Sequence, residues 1–265
     1  MTGIVYLVGA GPGAPDLLTL RAARLLARAD IVFHDALVPK EILSLASKAK
    51  KIEVGKRSGQ HVTAQHFINK RLADAARKHE VVVRLKGGDP TLFGRAQEEI
   101  AFLRAQGIRV EVVPGVTAAL AAAAETGVSL TRRGLARSLL FLTPRRGAGE
   151  RPNDWVRPAL AADTVAIYMG AGEAKKISRA LIAAGKPPST PALIAENVSL
   201  REARTFLGTL GSLEELAARC LGGPTVILLG EICRDSEIIK SWSGAQSSSS
   251  PTALAIRSGR ARSSS

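Results

Sequence analysis

The sequence GGDP at residues 87–90 follows an apolar run and combines two glycines with one carboxylate. Gly87 and Gly88 carry no side chains, so the backbone there can approach a bound molecule closely. Asp89 offers a hydrogen-bond acceptor, and Pro90 restricts the backbone at the end of the loop. The loop is suited to hold the amino-acid or ribose part of a cofactor through backbone groups. Taken alone, the same four residues also fit a simple Asp-Pro turn that binds nothing.

Two further glycine-bearing loops follow apolar runs, GAGPGAPD at residues 9–16 and PGVTAA at residues 114–119. The first differs from the dinucleotide-binding fingerprint G-x-G-x-x-G, because its third glycine comes one residue early and Pro12 stands inside the turn. In the second, Thr117 and Ala118 open the next predicted helix. Each loop alone fits a tight turn, but three of them at one edge of a sheet favour a shared ligand site.

Alternating strands and helices must position these loops. Apolar runs rich in Val and Ile lie at residues 4–9, 31–35, 51–55, 81–86 and 110–115. The segments between them place apolar residues at helical spacing: Leu17, Leu18, Leu25 and Leu26; Phe67, Ile68, Leu72 and Ala75; Ile100 and Leu103. Gly107 is predicted to end the last of these helices. The pattern predicts an α/β fold whose first sheet is mostly parallel and covered by helices, with ligands beyond the carboxyl ends of the strands.

A second α/β unit is predicted after the alanine-rich segment at residues 116–127. Its candidate strands are 138–143, 164–169, 191–197, 204–208 and 225–230. The third and fourth lie too close in sequence for a helical crossover and should form a hairpin, so the second sheet is mixed. Helices are predicted at 173–184 and 212–219, the latter with Ser212 and Glu215 as a capping box. We therefore divide the chain into domains 1–115 and 116–235 and a serine-rich, basic tail at 236–265 that is expected to be disordered.

The net charge of +14 in 265 residues indicates an anionic partner or an ordinary basic surface. The basic residues near the glycine loops favour a ligand pocket over a nucleic-acid stripe, and we expect neither a nucleic-acid nor a membrane partner. The first apolar run stops at glycine after a few residues, so we expect neither a signal peptide nor a membrane span there. The two cysteines fit reduced thiols in a cytoplasmic protein. The two cysteines and four histidines have no metal-type spacing, so no metal is expected.

Eight segments then occur in a characteristic order: LVGAGPGAPDLLTLRA, HDALV, VGKRSGQH, RLKGGDPTLFGRAQEE, VVPGVTAA, VSLTRRG, YMG and AEN. This ordered set spans about Val5 to Glu231 and closely resembles the tetrapyrrole methylases, in particular the branch that methylates uroporphyrinogen III. The resemblance implies two α/β domains with S-adenosylmethionine in the cleft between them, and a homodimer. It also implies S-adenosylhomocysteine as a product and a polycarboxylate tetrapyrrole as the substrate.

Residue by residue, the resemblance assigns three sets of functional positions. Contacts to the cofactor, most of them through backbone, are implied for Pro12, Gly87, Gly88, Asp89, Leu92, Thr117, Ala118, Met169 and Val198. An acid/base pair is implied at Asp35 and Lys56. Substrate contacts are implied for Arg57, His61, Arg95, Glu98 and Arg133. Two alternatives stay open from the residues themselves, because Asp35 also fits a turn cap and Lys56 also fits pairing with a substrate carboxylate.

The chain departs from the family pattern near the expected substrate. Ala36 replaces a common arginine, Arg132 replaces a histidine, and Ala96 and Gln97 follow the FGR motif in place of glycines. The implied reaction is methylation of uroporphyrinogen III at C2 and C7, which gives precorrin-2 through precorrin-1 and feeds siroheme or cobalamin synthesis. Alternatives are a methyltransferase for a later corrin intermediate and a ribosomal-RNA methyltransferase of the same broad fold, which the basic charge would suit.

Overall fold

The computed structural model describes residues 2–54, 61–147 and 153–234. The first sheet consists of β1 (Ile4–Gly9), β2 (Ile31–His34), β3 (Lys50–Glu53), β4 (Val81–Lys86) and β5 (Val110–Val113). These strands pair in the order β3-β2-β4-β1-β5, and all four pairs are parallel. The carboxyl ends of the strands therefore share one edge of the sheet, as the sequence predicted.

Helices α1 (Leu20–Arg28), α2 (Lys40–Ser44), α3 (His61–Ala76) and α4 (Ala96–Ala105) connect these strands. The prediction that Leu17 and Leu18 belong to the first helix was wrong. A short 3-10 turn at Pro15–Leu17 precedes the helix, and the Thr19 hydroxyl caps α1 by accepting from the Ala22 N–H. The predicted stop at Gly107 is confirmed: its φ is +70°, and Ile108 N donates to Leu103 O at 3.0 Å, as in a Schellman motif.

The second sheet is mixed, which confirms the prediction from the close spacing of two strands. It consists of β6 (Leu139–Leu142), β7 (Thr164–Tyr168), β8 (Pro191–Glu196), β9 (Arg204–Thr209) and β10 (Thr225–Leu229). The order is β6-β7-β10-β8-β9, with β6 and β7 parallel and the other pairs antiparallel. β8 and β9 form the expected hairpin. The helices are α5 (Ala118–Thr126), α6 (Val156–Ala161), α7 (Ala174–Ala183) and α8 (Leu213–Ala218).

The capping box predicted at Ser212 and Glu215 is absent. Ser212 occupies the N-cap position of α8, but its side chain makes no cap hydrogen bond. Its hydroxyl instead accepts from Thr209 N at 3.1 Å and donates to Thr209 O at 3.2 Å. The Ser212 hydroxyl therefore binds the backbone at the end of β9 and not the first turn of α8. The sequence spacing of Ser212 and Glu215 does not distinguish these two hydrogen-bonding patterns.

Apolar side chains cover both faces of each sheet. In β10, Val226 and Leu228 pack against one face with the alanines of α5, whereas Ile227 and Leu229 pack against the opposite face with Ile177 of α7. The alternation follows the two-residue period of a strand, and the runs are apolar throughout because helices cover both sides. The α/β fold class is confirmed. None of the described helices has the length and apolarity to cross a membrane. The predicted tail at 236–265 lies outside the described residues.

Candidate functional site

A cavity of about 750 Å³ lies at the shared carboxyl edge of the first sheet. Loops after β1, β2, β4 and β5 contribute to its lining, and the remaining residues come from the second unit, after β6, at the ends of β7 and β8, and before and at the start of β10. The structure brings together in this one cavity all nine residues that the resemblance assigns to the cofactor: Pro12, Gly87, Gly88, Asp89, Leu92, Thr117, Ala118, Met169 and Val198.

The glycines of the three loops contact one another at this edge. Gly88 N donates to Gly11 O at 2.7 Å, and Gly11 N donates to Gly88 O at 3.2 Å. A Cβ atom on Gly115 would lie 2.3 Å from the carbonyl oxygen of Gly88, and one on Gly9 would lie 2.6 Å from the Cα of Gly115. Glycine is therefore required at Gly9 and Gly115 for contact between loops, whereas the sequence suggested only approach to a ligand.

The Asp89 carboxylate holds two of these loops together. One oxygen accepts from Thr91 N at 2.8 Å and from the Thr91 hydroxyl, and the other accepts from Gly115 N at 2.9 Å. The first pair of bonds forms a local turn, which is the alternative that the sequence left open for GGDP. The bond to Gly115 reaches the loop after β5, so this turn also fixes a wall of the cavity.

Tyr168 connects the cavity to the first turn of α5, a role that sequence reasoning missed. Its hydroxyl oxygen lies 2.6 Å from the Thr117 hydroxyl and accepts from Ala119 N at 3.0 Å. The ring of Phe93, from the loop after β4, lies 5.3 Å from the Tyr168 ring between centroids. Burial raises the pKa of Tyr168, so the phenol is protonated at neutral pH. The sequence placed this tyrosine at the end of a strand and in the YMG segment, but neither feature indicated a contact with α5.

Within residues 2–54, 61–147 and 153–234, five non-glycine residues adopt left-handed φ angles of 53° to 66°: Phe93, Arg95, Met169, Asn197 and Ser199. Phe93 and Met169 line the cavity, and Asn197 and Ser199 flank Val198, which also lines it. Such conformations cost about 1–3 kcal/mol each and persist where the surrounding structure enforces them. Their concentration around one cavity marks it as a functional site.

A buried carboxylate holds a further part of the lining in place. Glu196 is fully buried at the end of β8, and one of its oxygens accepts from Leu221 N at 2.7 Å and Gly223 N at 2.9 Å. These bonds fix the loop before β10, whose residues 222–224 line the cavity. The AEN segment contains this glutamate, but nothing in its sequence indicates which loop it would bind.

Asp35 lies directly after β2 and beside the cavity, two residues before Leu37, which lines it. The side chain of Asp35 is 31% exposed and is paired with Arg84 of β4, whose side chain is 3% exposed. Arg84 also donates through Nε to Glu99 of α4 at 3.2 Å. Asp35 itself is not one of the lining residues.

Glu99 accepts from a second buried cation, Lys86, at 3.1 and 3.2 Å. The amide of Gln65 from α3 donates to Glu99 as well, at 3.1 Å. Desolvation by burial and the nearby charge of Arg84 lower the pKa of Lys86. Sequence reasoning missed this cluster, although two cations in an otherwise apolar central strand were a signal that they need buried partners.

Three of the predicted substrate residues, Arg95, Glu98 and Arg133, belong to the described part of the chain and lie outside the cavity lining. Arg95 and Glu98 are bound to each other by two hydrogen bonds of 2.6 and 2.7 Å, and the bond from Arg95 lowers the pKa of Glu98. Arg133 lies on an exposed turn. Arg145, which the sequence did not indicate, does line the cavity.

Three predicted residues cannot be placed in this way. Lys56 and Arg57 lie outside the described residues. His61 is the first residue of α3, but its side chain is outside the described part of the chain. The acid/base role of Lys56 and the substrate contacts of Arg57 and His61 therefore stay predictions.

Comparison with known proteins gives one consistent result. Residues 4–214 match the family model of the tetrapyrrole (corrin/porphyrin) methylases. A crystal structure of uroporphyrin-III C-methyl transferase from Thermus thermophilus, complexed with S-adenyl homocysteine, is 41% identical with a TM-score of 0.77, and the match covers 88% of this chain and 99% of that one. The structure of a cobalt precorrin-4 methyltransferase is 27% identical, also with a TM-score of 0.77, and covers 87% and 95% of the two chains.

Among curated relatives, siroheme synthase from Chromobacterium violaceum is 45% identical over 232 residues, which are 87% of this chain and 49% of that protein. Siroheme synthase 1 from Klebsiella pneumoniae is 44% identical with the same coverage of both chains. The chain thus spans about half the length of the curated relatives it matches. The family match and the Thermus structure, which the chain covers almost completely, agree with the fold and with the ordered motifs. The chain belongs to the tetrapyrrole (corrin/porphyrin) methylases.

Proposed function

We propose that this chain transfers methyl groups from S-adenosylmethionine to C2 and C7 of uroporphyrinogen III and so produces precorrin-2 through precorrin-1. The product would feed siroheme or cobalamin synthesis. The observation that carries the methyl donor in this proposal is the cavity, which the nine residues assigned to the cofactor from the sequence line together. The Thermus structure, a uroporphyrin-III C-methyl transferase with S-adenyl homocysteine bound, supports it.

The cavity has the properties that S-adenosylmethionine requires. Its volume of about 750 Å³ lies in the range of small-molecule sites. A Cβ atom on Gly88 would have no neighbour within 4 Å, and the φ of +67° favours glycine there, so the backbone faces open space. The hydroxyls of Thr117 and Tyr168 and the backbone of Gly87, Gly88 and Ala118 would hold the cofactor. When bound, S-adenosylmethionine supplies an electrophilic methyl group.

Methyl transfer to a pyrrole carbon depends mainly on orientation, because the acceptor carbon is already electron-rich. The protein's task is to hold the macrocycle against the cofactor cavity and to remove a proton from the methylated ring. Asp35 is the residue we assign to that proton, since it lies at the carboxyl end of β2, beside the lining residue Leu37 and partly exposed. Lys56 is assigned to proton donation or to a substrate carboxylate.

Uroporphyrinogen III carries eight carboxylates, and arginines are their natural partners because the guanidinium binds a carboxylate with two hydrogen bonds. Arg145 lines the cavity, while Arg95 is held by Glu98 in a fixed orientation. We assign Arg57, His61, Arg95, Glu98 and Arg133 to the substrate, and we add Arg145. This gives part of the +14 net charge a specific use.

One assay tests the proposal directly. The protein is incubated anaerobically with uroporphyrinogen III and methyl-labelled S-adenosylmethionine, and the product is analysed by mass spectrometry. Two added methyl groups are the expected result. A product without added methyl groups, from protein that binds S-adenosylhomocysteine in calorimetry, would refute the assignment of this substrate.

A second candidate is methylation of a later corrin intermediate. The structure of cobalt precorrin-4 methyltransferase favours it, because its TM-score equals that of the Thermus protein despite the lower sequence identity. The cofactor cavity cannot separate the two activities. Parallel incubations with uroporphyrinogen III and with a precorrin-4 preparation distinguish them, since only the true substrate gains methyl groups.

Replacing Arg133 with alanine is expected to raise the KM for the porphyrinogen about tenfold, because a lost charge-assisted hydrogen bond is worth about 1.5–3 kcal/mol. Affinity for S-adenosylhomocysteine should stay unchanged, since Arg133 does not line the cavity. Steady-state kinetics and calorimetry on the same preparation check both values. Lower cofactor affinity with an unaltered KM would remove Arg133 from the substrate site.

A further inference from the structure

Arg84 is a buried cation that joins the predicted base to the interior of the protein. Its three donor groups are all used: Nη2 donates to Asp35 Oδ1, Nε to Glu99 Oε1 at 3.2 Å, and Nη1 to the carbonyl of Leu85 at 3.1 Å. A guanidinium bound on three sides cannot change its orientation without breaking several hydrogen bonds. The buried Arg84 side chain therefore fixes the position of the Asp35 carboxylate.

We infer that Arg84 is a positioning residue that acts on the reaction through Asp35, and that Asp35 and Glu99 balance the charges of Arg84 and Lys86. The inference rests on the proposed function, in which Asp35 removes a proton from the methylated macrocycle. Arg84 does not line the cavity and makes no contact there, so it is not a catalytic residue.

The backbone supports the same arrangement. β2 and β4 pair so that Phe33 lies opposite Arg84, and Asp35 N donates to Leu85 O at 3.2 Å. The main chain of Asp35 is thereby held against β4, and the ion pair with Arg84 fixes the side chain. Both constraints come from one strand, the strand that continues into the GGDP loop of the cavity. The position of the base and the position of the cofactor loop are thus coupled through β4.

The charges in the cluster sum to zero, from Arg84 and Lys86 against Asp35 and Glu99. Glu99 is fully buried, and the side chain of Lys86 is only 5% exposed, so an unbalanced charge here would be costly. Apolar neighbours could stabilise this part of the sheet as well as ions do. The cluster instead ends at Asp35, its one partly exposed carboxylate. This arrangement indicates that the buried ions hold the Asp35 carboxylate in position.

A double-mutant cycle tests the inference. Arg84→Met and Asp35→Asn are each expected to lower kcat for methyl transfer about tenfold or more, with unchanged affinity for S-adenosylhomocysteine. The Arg84→Met/Asp35→Asn protein should be no slower than the slower single variant, because both changes remove the same function. Two losses that multiply, or an Asp35→Asn protein with normal kcat, would overturn the inference. Arg84→Lys should lie between Arg84→Met and the natural protein, since lysine keeps the charge but not the second bond.

Two further variants separate positioning from stability. Arg84→Met alone leaves one excess negative charge in the cluster, whereas Arg84→Met/Glu99→Gln restores neutrality. The second protein should recover much of the lost stability in urea unfolding but none of the lost kcat, and recovery of both would show a merely structural role. Arg77→Met, a change at a half-exposed arginine of the turn after α3, should leave both values unchanged.

A labelling experiment works even if uroporphyrinogen III is not the substrate. Asp35 is modified with a water-soluble carbodiimide and an amine, and the rate is followed by peptide mass spectrometry. Loss of the Arg84 partner should increase the rate severalfold in folded Arg84→Met protein, and an unchanged rate would overturn the inference. If the natural protein shows no methyl transfer while the labelling rate of Asp35 still rises in Arg84→Met protein, that pair of results would refute the proposed function and support the positioning of Asp35 by Arg84.

Discussion

Replacing Gly115 with alanine is expected to reduce folding stability and cofactor affinity together. The new Cβ atom would lie 2.3 Å from the Gly88 carbonyl oxygen and 2.9 Å from the Gly9 Cα, and backbone atoms cannot rotate away as a flexible side chain would. The loops after β1, β4 and β5 must then separate. We expect a loss of about 1–3 kcal/mol in the free energy of unfolding, as for other overpacked sites. The affinity for S-adenosylhomocysteine should fall at least about tenfold, since backbone groups from these loops lose their alignment.

Gly107→Ala is the matched control. Gly107 has a φ of +70°, and a Cβ atom on it would have no neighbour within 4 Å. It lies at the end of α4, outside the cavity lining. The left-handed conformation should cost alanine about 1–2 kcal/mol, so stability falls by a similar amount, while cofactor affinity should stay unchanged. Urea unfolding and calorimetry on both variants separate the two effects, and an unaltered affinity in folded Gly115→Ala protein would contradict the contact between loops as the basis of the site.

The sequence was sufficient to predict the strands and that the second sheet is mixed, because these features depend on local patterns. Strands buried by helices on both sides form apolar runs of Val and Ile, as in β1 and β10, and such runs are recognisable without tertiary information. The stop at Gly107 was equally local. The error at Leu17 and Leu18 has a physical cause, since Thr19 caps α1 and leaves both leucines before it.

The arrangement of the site was predictable only in part. The nine cofactor positions came from ordered motifs, and parallel strands bring such loops to one edge. Contacts between elements far apart in sequence were not predictable, such as the Tyr168 hydroxyl on the first turn of α5 or Arg84 between Asp35 and Glu99. Hydrogen bonds of this kind depend on which side chains meet when elements far apart in sequence pack together. The local spacing of residues in the sequence does not indicate which side chains will meet.

Replacing Asp89 with alanine is expected to weaken the binding of S-adenosylhomocysteine about 10- to 100-fold. The carboxylate accepts three hydrogen bonds, two from Thr91 and one from Gly115 N, and hydrogen bonds to a charged group are worth about 1.5–3 kcal/mol. Without it, the loop after β4 is no longer tied to the loop after β5. Calorimetry measures the change, and a folded variant with normal affinity would contradict the prediction.

Asp163→Ala is the control for losing a carboxylate of the same kind. One oxygen of Asp163 accepts from Arg137 N at 2.8 Å and Ser138 N at 2.9 Å, so this aspartate also ties two chain segments together. It does not line the cavity that we assign to the cofactor. Its removal should lower stability without changing cofactor affinity, which would show that the effect at Asp89 depends on where the loop lies.

A second variant decides whether Asp89 acts by holding its loop or by contacting the cofactor itself. Thr91→Val removes the hydroxyl that donates to Asp89 but leaves the carboxylate and its bond to Gly115. Thr91 does not line the cavity, so its side chain has no direct route to the ligand. If the loop is what matters, Thr91→Val should weaken binding about tenfold, the lower end of the value of one hydrogen bond to a charged group. Normal affinity in Thr91→Val beside weak affinity in Asp89→Ala would instead assign the carboxylate to direct contact with the cofactor.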